Sequence, residues 1–280
     1  MSRMGIAIWN FEGEHLGQKL RMFAEMGYTA ASINNSLMDT LTADDEAEAT
    51  DITEEYDLQL TVHGGLIKPG EPVDEHLVMS RAERTLRWHD RTGRIVCTSY
   101  DVPSVQVGEG VKRKDPAPIL DVTRKLLDLF AGSGVRVLLE DCPLDLEVAR
   151  HFEGWTEEYP HLGMLADLGH MNIRLREHRS DRPLQPGAVE TYLKAIPWEI
   201  VELHIHSNDG SRDQHAPPYA PNADLPTAAK VLREIGFDGV STIELVPAWC
   251  GMPPEEVVPS CRRSLEYWRD LIGADGGSQR

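Results

Sequence analysis

Eight short runs of apolar and β-branched residues recur along the chain, each followed by a stretch with helical spacing. The runs are GIAIWN (5–10), YTAASIN (28–34), LQLTVH (58–63), RIVCTS (94–99), VRVLLE (135–140), LGMLAD (162–167), IVELHIH (200–206) and GVSTIEL (239–245). In the first intervening stretch Leu16, Leu20, Phe23 and Ala24 fall on one face of a helix. Asp115 and Pro116 make a cap and first-turn pair, GSG (132–134) suits a helix C-terminus, and Gly236 closes a helix before the eighth run. Strand–helix alternation predicts a parallel sheet. Eight such units in about 270 residues match the usual size of a (βα)8 barrel, the TIM barrel. The rival is an open doubly wound sheet, but no GxGxxG follows the first run. No linker or composition break divides the chain. The expected organisation is one barrel domain over 1–271 and a flexible C-terminal tail over 272–280.

A barrel of this type carries its chemistry where the strands end. The third run ends in His63, the fifth in Glu140 and the sixth in Asp167; His206 ends the seventh and Glu244 stands near the end of the eighth. Side chains alternate along a strand. Glu202, His204 and His206 therefore share one face of the seventh run, and Val201, Leu203 and Ile205 share the other. The apolar set suits the helix layer, so the polar set should face the barrel axis. Glu244 shares its face with Thr242, Glu140 with Leu138 and Arg136, and His63 with Thr61 and Gln59. Trp9 and Asn10 end the first run and are expected to line the pocket.

Two glutamates, an aspartate and a histidine form a hard, oxygen-rich donor set that suits one divalent ion: Mn²⁺, Mg²⁺, Co²⁺ or Zn²⁺. Such an ion binds a carbonyl and a neighbouring hydroxyl together and favours removal of the α-proton. Two carboxylates can then serve as base and acid.

Composition narrows the partners. The 280 residues carry a formal net charge of −18, which repels a phosphate backbone and an anionic bilayer. No nucleic acid and no membrane partner is expected. No stretch approaches a membrane span, and the N-terminal apolar run is too short for a signal peptide. Cys97, Cys142, Cys250 and Cys261 show no CxxC spacing, which reads as reduced thiols in a cytoplasmic protein. The stretches VKRKD (111–115) and RWHDR (87–91) read as solvated.

The ordered set VLLED (137–141), DLGH (167–170), HIHSND (204–209) and IEL (243–245) resembles the xylose-isomerase-like TIM barrels, a superfamily that includes ketose 3-epimerases, inosose dehydratases and apurinic endonucleases. The resemblance covers nearly the whole chain. It implies that Glu140, Asp167, His206 and Glu244 are the metal ligands, with Glu140 and Glu244 also the acid/base pair. It implies that His170 and Arg212 hold substrate oxygens, with Trp9, Asn10 and His63 as further candidates. DQH (213–215) looks like the pair that adds a metal in the endonuclease branch, so His63, His170, Asp213 and His215 are candidates for a second ion. The histidine expected after the fourth strand in that branch is absent from CTSYDVP (97–103), and APPYAPNADLP (216–226) replaces the usual glycine-rich turn, as a lid or a partner surface.

Bland roles compete at each position. Asp167 suits a turn cap, Glu244 a structural ion pair, Asp213 and His215 a solvated loop, and His204 the filling of the barrel interior. The reading that absorbs most residues is a metal-dependent sugar isomerase or epimerase acting on a small ketose, polyol or related carbohydrate through an enediolate. Alternatives are a dehydratase of the inosose type, a zinc phosphodiesterase like the endonuclease branch, and a barrel subunit without turnover. Homodimers and homotetramers are common in the resembled family.

Overall fold

A computed structural model describes residues 2–11, 15–65, 74–101, 117–140, 152 and 154–274. Eight strands close in sequence order into a parallel barrel: β1 (Arg3–Ala7), β2 (Ala30–Asn34), β3 (Gln59–His63), β4 (Ile95–Asp101), β5 (Arg136–Glu140), β6 (Leu162–Asp167), β7 (Ile200–Ile205) and β8 (Val240–Ile243). In such a barrel every strand opens its C-terminal end on the same mouth. The barrel expected from the alternation of runs is therefore observed, with every strand near its expected place.

The chain forms two compact units. One takes in Met1–Ala31, Asp167–Ile196 and Glu202–Arg280. Here β1 pairs with β8, and β7 with β8, in parallel. Gly5 lies opposite Thr242, and an added Cβ would meet the Thr242 hydroxyl at 3.0 Å, so the residue must be small. The helix Leu16–Met26 buries Leu16, Leu20 and Phe23 as its spacing requires, while Ala24 is only half-buried. Phe23 meets Tyr28 edge-on, and the Tyr28 hydroxyl donates to the Cys261 carbonyl at 2.8 Å, tying the loop before β2 to the helix Pro254–Gly273. That helix runs through Gly273; residues 275–280 lie outside the described residues.

The other unit is Ser32–Ala166 with Pro197–Val201. Its strands β3, β4 and β5 pair in parallel. Cys97, Leu138 and Leu165 pack together with no exposure. The helix Glu75–Thr92 carries RWHDR at its end, and here the sequence expectation of a solvated run is corrected: Trp88 is wholly buried. Helical spacing explains it, because Val78, Ala82 and Thr85 share its buried stripe. The proposed cap Asp115–Pro116 and the run 111–115 lie outside the described residues, as does Cys142; the other three cysteines are free thiols. Among the described residues no helix is long and apolar enough to cross a membrane.

One strand boundary differs in a way that matters. β1 stops at Ala7, and Ile8–Asn10 turn as a 3-10 helix, so Trp9 and Asn10 stand on a turn past the strand. The turn is closed by Phe11 N–H donating to the Ile8 carbonyl.

Candidate metal centre

In the first unit, polar residues from the ends of β6, β7 and β8 converge. Asp167 is the last residue of β6 and also the cap of the helix Leu168–Leu175: its Oδ1 accepts the His170 N–H at 2.8 Å. The cap that the sequence allows at Asp167 is therefore present. His206 follows β7 directly and is wholly buried, with Nε2 at 3.0 and 3.2 Å from the two Asp167 oxygens. Glu244 follows β8; its main-chain N–H donates to the Ile205 carbonyl, and its Oε2 lies 3.0 Å from His204 Nδ1.

The loop after β7 supplies the rest. His215 sits at φ +45°, in the left-handed region that costs a non-glycine residue energy. In that conformation its ring stacks on His206, centroids 4.0 Å apart and planes 12° apart. Its Nε2 lies 2.7 Å from Asp213 Oδ2, and its Nδ1 faces the Glu244 carbonyl at 3.3 Å. Asp213 also faces His170 Nε2 at 3.3 Å. Trp249 stands edge-on to His215 at 5.1 Å. Arg212 is exposed, beside Asp209.

A buried amide pair holds this loop to the helix after β6. Asn172 Nδ2 donates to the Asn208 carbonyl and to Asn208 Oδ1, and Asn208 Nδ2 donates to the Gly169 carbonyl. Gly210 N–H closes on Asn208 Oδ1, and the Arg176 side chain crosses so close to Gly210 that no Cβ would fit. The run APPYAPNADLP is tied down as well. Ser207 and Ala216 exchange two main-chain hydrogen bonds at 2.8 Å, Tyr219 donates to Ser260, and Arg263 lies over the Tyr219 ring at 4.1 Å.

Electrostatics follow from burying acids beside imidazoles. Burial alone would raise Asp167, but His170 and then His206 outweigh it and hold the carboxyl well below its usual range. Glu244 is likewise held low against its burial, chiefly by His204 and then His215. Asp213 is lowered against burial by His170 and His215. Burial disfavours charge on His204, yet Glu244, then Glu202 and Asp167, push it up to about 9. The sign of the pH dependence is set by that rise. The stability lent by His204 is full below about pH 6.5 and is lost as the pH rises through about 9. Thermal melts of chelator-treated protein should therefore show a falling melting temperature across that window; a flat course would remove the charged histidine.

In the second unit His63 closes β3, with Nε2 3.3 Å from Glu140 Oε2 and 3.9 Å from Asp101 Oδ1. Asp101 ends β4, where the sequence reading looked for a histidine and found none. A carboxylate at a strand end was the available signal.

The donors suit a divalent cation. Asp167, His206 and Glu244, all buried, bring ligand atoms within 4.8 Å of one another, and so do His170, His206, Asp213 and His215. Carboxylates buried this closely are compensated by the facing imidazoles, and the same donor atoms could hold a divalent ion. Asn10 Nδ2, buried and without a hydrogen-bond partner among the described residues, adds a donor for a ligand oxygen.

The sequence matches the family model described as xylose isomerase-like TIM barrel over residues 20–270. The chain belongs to that family. Solved structures share the fold at low identity. One is a D-psicose 3-epimerase from Clostridium cellulolyticum H10 with D-tagatose (14% identity, TM-score 0.70, 96% of this chain and 99% of that one). Another is an IOLI protein with a zinc atom (16%, 0.68, 97% and 98%). A third is a xylose isomerase-like TIM barrel protein from Mycobacterium smegmatis in complex with magnesium (16%, 0.67, 97% and 97%). No curated protein matches the chain.

Proposed function

We propose that the chain is a divalent-metal-dependent sugar isomerase or epimerase acting on a small ketose, polyol or related carbohydrate. The observation that carries this is the buried Asp167–His206–Glu244 group at the strand ends. These three, with Glu140 at the end of β5, would hold the ion. When bound, the ion supplies Lewis acidity at a carbonyl and its neighbouring hydroxyl.

Glu244 is the base. Its Oε2 lies 3.0 Å from His204 Nδ1, and its carboxylate receives the α-proton. The electron pair of the broken C–H bond moves to the carbonyl oxygen and leaves an enediolate. Glu140 is the acid that returns a proton to carbon: to the same carbon from the opposite face for epimerisation, or to the former carbonyl carbon for isomerisation, with the hydroxyl proton of the first carbon passing to the neighbouring oxygen as the new carbonyl forms. His170, Arg212 and Asn10 hold substrate oxygens, and Trp9 and His63 line the pocket. Loss of a β-hydroxyl after the same proton removal would give the dehydratase outcome. Similarity to a ketose epimerase in fold supports the carbohydrate class. Free cysteines and the net charge of −18 support a cytoplasmic protein without nucleic-acid partners.

A second reading draws on His170, Asp213 and His215, whose donors also cluster around His206. These residues would hold a second ion, and hydrolysis would then enter the field. Metal content decides between the two. Mass spectrometry of protein purified without chelator or affinity metal should find one manganese, magnesium or cobalt per chain, and that protein should turn over a ketose. Two or three zinc ions per chain would favour the hydrolytic reading. No metal, even after soaking, would leave a barrel without turnover.

A further inference from the structure

We propose that His204 is a positioning residue for Glu244, an inference that rests on the metal-dependent reading above. The motif HIH puts two histidines on one face of β7, and the mouth uses only His206. His204 lies one step deeper, in register with Thr242 of β8, and is wholly buried. Branched apolar side chains normally fill this layer of a barrel. An imidazole there costs desolvation unless it is paired.

The pairing is specific. His204 Nδ1 lies 3.0 Å from Glu244 Oε2, and Asp167 Oδ2 is farther away at 3.8 Å. Beneath it, buried Glu202 accepts the Thr242 hydroxyl at 2.7 Å. The Trp9 ring tilts against the imidazole with centroids 6.3 Å apart. The imidazole therefore has a wall beside it and a fixed carboxylate below, and its Nδ1 stands at ion-pair distance from one named oxygen of Glu244. A glutamate just past a strand end has three side-chain torsions. Holding Oε2 leaves Oε1 as the oxygen presented to the ion and the substrate. Groups that orient a ligand in this way typically change metal affinity by about tenfold to a hundredfold when removed.

The test uses Co²⁺ as the probe, read by its visible absorption band and by competition with a chelator. His204→Leu should bind Co²⁺ about tenfold to a hundredfold more weakly than wild type, with a shifted band. His204→Asn keeps a donor where Nδ1 was and should restore both affinity and band. A Leu variant with wild-type affinity and band would make His204 mere filling. An Asn variant as weak as Leu would also overturn the proposal. Should the Leu variant fail to fold by circular dichroism, Asn and Gln are compared. Asn close to wild type and Gln weak supports the role; equal behaviour overturns it. Wild type that takes up no Co²⁺ overturns both this inference and the metal reading. Wild type that binds Co²⁺ but turns over no carbohydrate sinks the catalytic reading alone, since the cobalt signal still decides His204.

Discussion

Gly169→Ala yields a folded barrel in which His206 has left the candidate metal centre. The Cβ added at residue 169 would lie 1.9 Å from His206 Cε1, 2.3 Å from Nδ1 and 2.4 Å from Nε2. No real side chain tolerates such contacts, so something must move. The backbone at Gly169 is held, because its carbonyl accepts from Asn208 in the interior. The ring is held on its other face by the His215 stack at 4.0 Å. His206 must therefore leave its place against Asp167. Displacement of a reacting group by about 1 Å costs about a hundredfold in turnover. Over-packing costs about 1–3 kcal/mol of stability. The measurement is turnover and metal content beside a circular dichroism melt. Wild-type turnover would mean that His206 is not a ligand.

Glu244→Gln is the second large effect. The change keeps the shape of the side chain and removes its charge and its ability to take a proton. General acid–base groups contribute about 10²–10⁴-fold, and at least that loss is expected here. His204 would lose its nearest anion but keep Asp167 at 3.8 Å, so the fold should survive. Glu140→Gln should lose turnover to a similar degree. A fully active Glu244→Gln enzyme would end the acid/base assignment, whatever the metal content.

Local pattern reveals the strands because each is a short apolar run bounded by turn residues. The candidate residues His206 and Glu244 are legible for a second reason: alternation along a strand puts them on the same faces as His204 and Thr242. What stayed hidden depends on contacts between segments far apart in sequence. His204 reads as barrel filling from sequence because Glu244, 3.0 Å from it, follows the neighbouring strand. The importance of Gly169 is invisible until the His206 ring is seen pressed against it. Trp88 was misread because polar neighbours on both sides concealed its helical stripe. Trp9 and Asn10 were placed on a strand since an apolar run alone does not show where extended backbone turns into a 3-10 helix.

The amide pair between Asn172 and Asn208 has a consequence for anyone who would remodel this protein. The segment after β7 and the helix after β6 are cross-linked at Asn208, Gly169 and Gly210, and Arg176 is wedged against the last of these. They behave as one inheritable cassette. Transplanting 207–216 into a related barrel without Leu168–Leu175 would strand the buried amide of Asn208. Swapping 206–216 together with 167–176 would carry these contacts across.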